Sequence, residues 1–233
     1  MTDCLYKQCG FLCGKTCGNE NESCPRMNNL RLAMDVADLS DIPQKKLMQT
    51  RNLKFAKVDE AAAKAVYEIF DTLPVFVHEG NSLLLVSKNC GNGKTSWSIK
   101  MLLNYLMVSV NKTSLEFGAV YGIFVRPHAL MNRIKASFSN PDPELNDYLN
   151  NLKLADLVVW DDLGCAKVSP YDQNILIDII GFRELYGRAN IYTSNLNSFE
   201  KLADSVGERL ASRIWNGSTV IELRGADRRG KKC

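Results

Sequence analysis

From Asp59 onward the apolar positions of the chain follow two patterns. One is the 3.6-residue spacing of an amphipathic helix, the other the short unbroken run of a strand buried on both faces. Residues 60–71 place Ala, Val, Ile and Phe at helical spacing behind Asp59, whose carboxylate suits a helix N-cap, and Pro74 is expected to close that segment. Five compact apolar runs follow, at Leu83–Val86, Val120–Val125, Leu157–Trp160, Ile191–Thr193 and Thr219–Leu223. Each has strand length, and most are separated by helix-length segments. That pattern predicts an α/β fold, a parallel sheet with helices on both faces.

The chain before Asp59 reads differently. Residues 1–27 are polar and rich in Cys and Gly, with almost no apolar material for a core. Residues 28–40 carry apolar residues at helical spacing and predict a short helix, which Asp41-Ile42-Pro43 ends. The basic stretch from Lys45 to Lys57 reads as a linker. Three units are therefore expected: a Cys-rich segment over 1–40, a linker over 41–58 and an α/β domain over 59–233. The last ten residues are short, basic and expected to fray.

Composition narrows the picture only a little. Charged residues make up 24% of the chain and the formal net charge is +3, so any nucleic-acid contact must be local rather than global. No apolar run approaches the roughly 20 residues that span a bilayer, and Met1–Lys7 has no signal-peptide core. A cytoplasmic protein with no membrane partner is expected. Five of the eight cysteines (Cys4, Cys9, Cys13, Cys17 and Cys24) fall in the first 24 residues. In a reducing compartment such clustering points to a metal rather than to disulfides.

The first run leads into chemistry. After Val86 come Ser87, Lys88, Asn89, Cys90, Gly91, Asn92, Gly93, Lys94, Thr95 and Ser96, matching the end of the P-loop pattern G-x-x-x-x-G-K-[ST]. The glycines let successive backbone N–H groups turn onto phosphate oxygens, and a helix starting near Lys94 aims its positive end at the same anion. Residues 89–96 are the candidate ATP-binding set; Lys94 serves the β- and γ-phosphates and Thr95 is a candidate Mg²⁺ ligand. One position departs from the pattern: Lys88 stands where the first glycine belongs.

The third run ends in two carboxylates, Asp161 and Asp162. Ligands of open parallel sheets bind at the carboxyl ends of the strands, so both acids are expected to face the P-loop. Asp161 is assigned to Mg²⁺, and Asp162 to orienting or deprotonating the attacking water. Asn195, at the end of the fourth run, offers an amide to the γ-phosphate or that water. The run at 120–125, lying between P-loop and acids, is characteristic of additional-strand P-loop ATPases. The five runs, counted along the chain, are then expected in the order 5-1-4-3-2.

From about Leu83 to Arg229 the chain resembles the DnaC/DnaI/IstB-like AAA+ ATPases, which include bacterial and phage replicative helicase loaders. The resemblance is carried by the P-loop, Leu157–Gly164, Ile191–Asn195, Gly207–Ile214 and the final strand leading to Gly225–Arg229. It implies that Asn195 is the sensor-1 residue and that Arg213, with Arg209 as a less certain companion, is an arginine finger serving ATP on a neighbouring subunit. It also implies that Arg229 is the second-sensor arginine. The family usually carries Asp-Glu where this chain has Asp161-Asp162, and Asp-Asp resembles a variant of its DnaI-like branch. In such loaders the region after the second strand often contacts single-stranded DNA; here Arg133, Lys135 and Phe138 could supply phosphate pairing and base stacking.

The cysteines offer two close pairs, Cys4/Cys9 and Cys13/Cys17, with Cys24 before Pro25 as a fifth candidate for four ligand places. Zn²⁺ is expected, an iron–sulfur cluster is the alternative, and the bound metal would supply the folding free energy. Loaders of the DnaI type carry a metal-binding amino-terminal domain that docks on the helicase, and this head is similar to a small version of it. The expected function is an ATP-switched loader of a hexameric replicative helicase that engages single-stranded DNA and self-associates through Arg213. An IstB-like transposition helper and a non-hydrolysing nucleotide-binding regulator are the alternatives.

Overall fold

The computed structural model of the protein describes residues 37–42, 53–110 and 120–227. Six strands form one parallel sheet: β1 (Ala37–Asp38), β2 (Ser82–Val86), β3 (Gly122–Val125), β4 (Leu157–Leu163), β5 (Ala189–Ser194) and β6 (Thr219–Glu222). Their order is β1-β3-β4-β5-β2-β6. The helices are α1 (Glu60–Asp71), α2 (Leu73–His78), α3 (Lys94–Val110), α4 (Pro127–Ser137), α5 (Leu145–Leu154), α6 (Pro170–Leu185), α7 (Phe199–Val206) and α8 (Glu208–Asn216).

The strands read as unbroken apolar runs because both their faces are covered. In β2, Leu83 and Leu85 point into one core, with Val66 of α1, Phe76 of α2 and Leu102 of α3. Leu84 and Val86 point into the other, with Leu130 of α4, Leu152 of α5, Ile180 of α6, Leu202 of α7 and Ile214 of α8. Each such side chain contributes about 1.5–3 kcal/mol on leaving water. Arg183 is buried beneath the second core. It donates to Leu152 O at 2.7 Å, Ala155 O at 2.8 Å and Asn190 Oδ1 at 2.6 Å, tying the end of α5 to the start of β5.

Several expectations need correction. The sheet has six strands rather than five: Ala37–Asp38 pairs with Gly122–Ile123 at the edge. Within the other five, each strand has the neighbours that 5-1-4-3-2 gives it. The helix expected over 28–40 does not include Ala37–Asp38, which is strand; residues 28–36 lie outside the described residues. Strand β3 begins at Gly122 rather than Val120, and β4 continues through both acids to Leu163.

Asp59 precedes α1 but makes no side-chain cap. Its carboxylate instead accepts from Arg224 N–H at 2.6 Å and Gly225 N–H at 3.0 Å, so the chain just after β6 is held down rather than frayed. Pro74 opens α2 instead of closing the helical region, since a proline in the first turn loses no hydrogen bond. Leu53 and Phe55 pack against the first core, and Phe55 stacks on Trp97 of α3 with ring centroids 4.3 Å apart.

For function the consequence lies in the strand order. Because β5 runs between β2 and β4, the carboxyl ends of these three strands are adjacent. The P-loop, the acid pair and Asn195 therefore meet at one edge of the sheet.

Candidate nucleotide site

The loop between β2 and α3 turns on two glycines, Gly91 at φ 69° and Gly93 at φ 108°, conformations that side chains rarely adopt. Helix α3 starts directly on it, with Trp97 N–H donating to Gly93 O at 2.9 Å. The loop is braced across its base. Ser87, fully buried, accepts at Oγ from Asn92 Nδ2 at 2.6 Å and from Asn89 N–H at 2.9 Å. Asn92 Nδ2 also reaches Leu223 O at 3.2 Å, and Asn89 Nδ2 reaches Gly225 O at 3.1 Å. The loop is thereby fastened to the chain that leaves β6.

Lys88, in place of the first glycine, is exposed. Hydrogen bonds from Asn197 and Arg224, with the field of Lys88, hold the Glu222 carboxyl below its usual range. Cys90 is exposed, Thr95 half-buried and Ser96 buried.

Lys94 is only 7% exposed, and its Nζ donates to Asn195 Oδ1 at 2.8 Å and Asn89 O at 3.2 Å. Asn195 passes the link on: its Nδ2 donates to Asp162 Oδ1 at 2.9 Å. Asp161, also 7% exposed, accepts at Oδ1 from Thr193 Oγ1 at 2.7 Å. Lys94, Asn195 and Asp162 thus form one hydrogen-bonded chain, and Thr193 ties Asp161 to it by also accepting from the Asp162 backbone N–H. The carboxylate of Asp161 and the hydroxyl of Thr95 are hard oxygen donors, the set that Mg²⁺ prefers.

The acids sit on an irregularity. Trp160 pairs with Tyr192 and Leu163 with Ser194, which leaves Asp161 and Asp162 opposite the single residue Thr193. Asp162 is the one non-glycine residue with positive φ among the described residues, at 61°. A bulge of this kind re-aims side chains at a strand end.

Other expected residues fall elsewhere. Arg213 of α8 is paired with Glu184 of α6, its guanidinium carbon 3.5 Å from where a Cβ on Gly181 would stand. Arg209 is exposed. Arg133 is bound to Asp142 at 2.7 Å and lies over the Tyr148 ring at 4.9 Å; Lys135 is bound to Asp172 at 2.7 Å. Both cations are ion-paired with side chains that stay partly exposed, Arg133 at 36% and Lys135 at 47%. Phe138 is 69% exposed and meets Tyr171, 48% exposed, with ring centroids 6.0 Å apart. Cys4, Cys9, Cys13, Cys17, Cys24 and Arg229 lie outside the described residues. Among the described residues no group of three or more His, Cys, Asp or Glu could hold a metal, and no helix is long and apolar enough to cross a membrane.

Ser87, Thr193 and Tyr171 belong to no motif of the sequence. Thr193, on β5 two residues before Asn195, carries a signal in its polarity within a buried run. Ser87 and Tyr171 carry none, since their contacts depend on tertiary structure.

Fold and site together define an α/β module with a glycine-turned loop between β2 and α3 and an acid pair two strands away in the sheet. No protein-family model matches the sequence, and no curated protein matches it. Solved structures share the fold. The DnaC helicase loader is similar with a TM-score of 0.57 at 19% identity, covering 83% of this chain and 99% of that one. DnaI is similar with a TM-score of 0.57 at 20% identity, covering 86% of this chain and 95% of that one. The replication initiator DnaA bound to AMPPCP and single-stranded DNA gives a TM-score of 0.56 at 19% identity over 75% of this chain. The chain spans about half of that DnaA chain, 49%.

Proposed function

We propose that the protein is an ATP-switched helicase loader, in which the AAA+ module binds and slowly hydrolyses ATP. The observation that carries the nucleotide half is the hydrogen-bonded chain from buried Lys94 through half-buried Asn195 to half-buried Asp162. Lys94 is held by the residue expected to sense a γ-phosphate. Binding would exchange the Lys94–Asn195 bond for bonds to phosphate, freeing the Asn195 amide to act with Asp162 on the attacking water. Mg²⁺, held by Thr95 and Asp161, would neutralise phosphate charge.

The loader half is supported by near-complete coverage of the DnaC helicase loader structure. On this reading residues 1–58 dock on a hexameric replicative helicase, with Zn²⁺ or an iron–sulfur cluster on four of the five amino-terminal cysteines. Single-stranded DNA lies across the AAA+ module. Its stacking surface would be Phe138 with Tyr171, because exposed aromatic faces take up bases of any sequence. Arg133 and Lys135 would hold that surface in place through their acids rather than pair with phosphate.

The test uses the full chain. Wild type should release phosphate from ATP, faster with single-stranded DNA, and retain a replicative helicase on a pull-down in an ATP-dependent way. Lys94→Ala should lower phosphate release by at least about 100-fold, as loss of a principal phosphate contact does. Release by Lys94→Ala at the wild-type rate would overturn the ATPase assignment. Failure of the wild-type chain to retain any replicative helicase would overturn the loader assignment.

A further inference from the structure

Thr193 is 1% exposed on β5, and its hydroxyl serves both acids of the neighbouring strand. It donates to Asp161 Oδ1 at 2.7 Å and accepts from the Asp162 backbone N–H at 2.9 Å. A hydroxyl has one proton and two lone pairs, so making both bonds fixes its rotor, with the proton on the carboxylate and a lone pair on the amide.

The strand register explains why one side chain can do this. Two residues of β4 stand opposite Thr193 alone, and at this irregularity the Asp162 amide donates to the threonine oxygen. An amide left without that acceptor inside the sheet costs about 1–3 kcal/mol. The bond therefore holds Asp162 in its left-handed turn while the same oxygen's proton sets the Asp161 carboxylate.

We propose that Thr193 is a positioning residue of the site: through one hydroxyl it aims the Asp161 carboxylate toward Mg²⁺ and fixes the turn that presents Asp162. The proposal rests on the ATPase reading above. It assigns Thr193 no contact with nucleotide or metal. Valine at this position keeps the shape and removes the hydroxyl, whereas serine keeps the hydroxyl and removes the methyl.

The experiment compares wild type, Thr193→Val and Thr193→Ser in the full chain. It reads the affinity for a fluorescent ATP analogue in EDTA, the Mg²⁺ concentration at which Mg²⁺ half-completes its effect on that affinity, and phosphate release. For Thr193→Val the EDTA affinity stays at the wild-type value, while the Mg²⁺ midpoint rises and kcat falls by about tenfold or more, with KM little changed. Thr193→Ser stays within about threefold of wild type in every reading. Should Thr193→Val not fold, Thr193→Ala carries the comparison with the same expectations. Wild-type values for the valine or alanine variant overturn the proposal, and so does equal impairment of the serine variant, which would make the methyl packing the cause. A wild-type chain that releases no phosphate overturns the ATPase reading, and the Mg²⁺ midpoint still decides the role of Thr193.

Discussion

At the scale of the residue, the backbone of Asp162 accounts for a departure from the resembling family. The second acid there is usually Glu, but at φ 61° this chain demands a residue that tolerates the left-handed region. Asp and Asn do so through local hydrogen bonds; a longer side chain pays about 1 kcal/mol or more for it. Asp162→Glu should thus lower the unfolding free energy by about 1 kcal/mol without speeding phosphate release. Asp162→Asn can still accept from Asn195 and keeps the turn, so stability and ATP affinity should hold while release falls by about 100-fold or more. Chemical denaturation and a phosphate-release assay on both variants check this, and a glutamate variant as stable as wild type would remove the backbone argument. Lys88 is resolved at the same scale. The buried Ser87–Asn92 bond, at 2.6 Å, braces the base of the loop without the missing glycine. Neither point was legible beforehand, because φ and side-chain bracing are set by what stands across the loop or the sheet.

At the scale of the element, α4 and α6 are joined by the Lys135–Asp172 pair, at 2.7 Å, on the side where Phe138 and Tyr171 are exposed. Burial pushes the Asp172 carboxyl up, but hydrogen bonds involving Lys135 and Ser169 outweigh it and hold the group below its usual range. A carboxyl lowered in the folded state adds stability that is complete above the unfolded pKa and vanishes as pH falls through the folded one. Asp172→Asn should therefore lower the unfolding midpoint near neutral pH by about 2–4 °C, the equivalent of about 1 kcal/mol at this chain length. The gap between variant and wild type should begin to narrow near about pH 4, the ordinary carboxylate value, and close as pH falls through the lower folded value. Thermal unfolding from neutral pH to pH 3 measures it, and a gap that widens with acid would contradict the pairing. The elements were mostly legible in the sequence. Strands covered on both faces have no polar positions to interrupt them, so β2 to β6 stood out as apolar runs, and their order made Lys94, Asp161, Asp162 and Asn195 converge. Strand β1 is two residues long and too short to show any period. Asp59 looked like a cap, whereas the backbone of residues 224–225, far away in sequence, claims its carboxylate. Thr193 lay unread in a visible strand because its role needs the bulge that sets two residues opposite it.

At the scale of the whole molecule, Arg213 and the phosphate loop lie toward opposite ends of the sheet. Helix α6 starts after β4 at the carboxyl edge and runs back to Leu185, just before β5 begins; Glu184, near its end, holds Arg213. The P-loop leaves β2 at the carboxyl edge. An Arg213 that serves ATP must then serve it on another copy, in a head-to-tail contact, and must exchange Glu184 for phosphate to do so. Two inactive variants test this together. Arg213→Ala keeps an intact phosphate loop, so it should bind ATP normally yet release little phosphate; Lys94→Ala loses its own site but still presents Arg213. Mixed in equal amounts, they should place an intact loop against an intact arginine at about one quarter of the contacts, assuming random head-to-tail assembly. Phosphate release should rise from near background to a comparable fraction of the wild-type rate, and should climb with protein concentration as contacts form. If the mixture assembles, as light scattering would report, yet stays as inactive as its components, Arg213 does not act between subunits, and its pairing with Glu184 is a brace between α6 and α8.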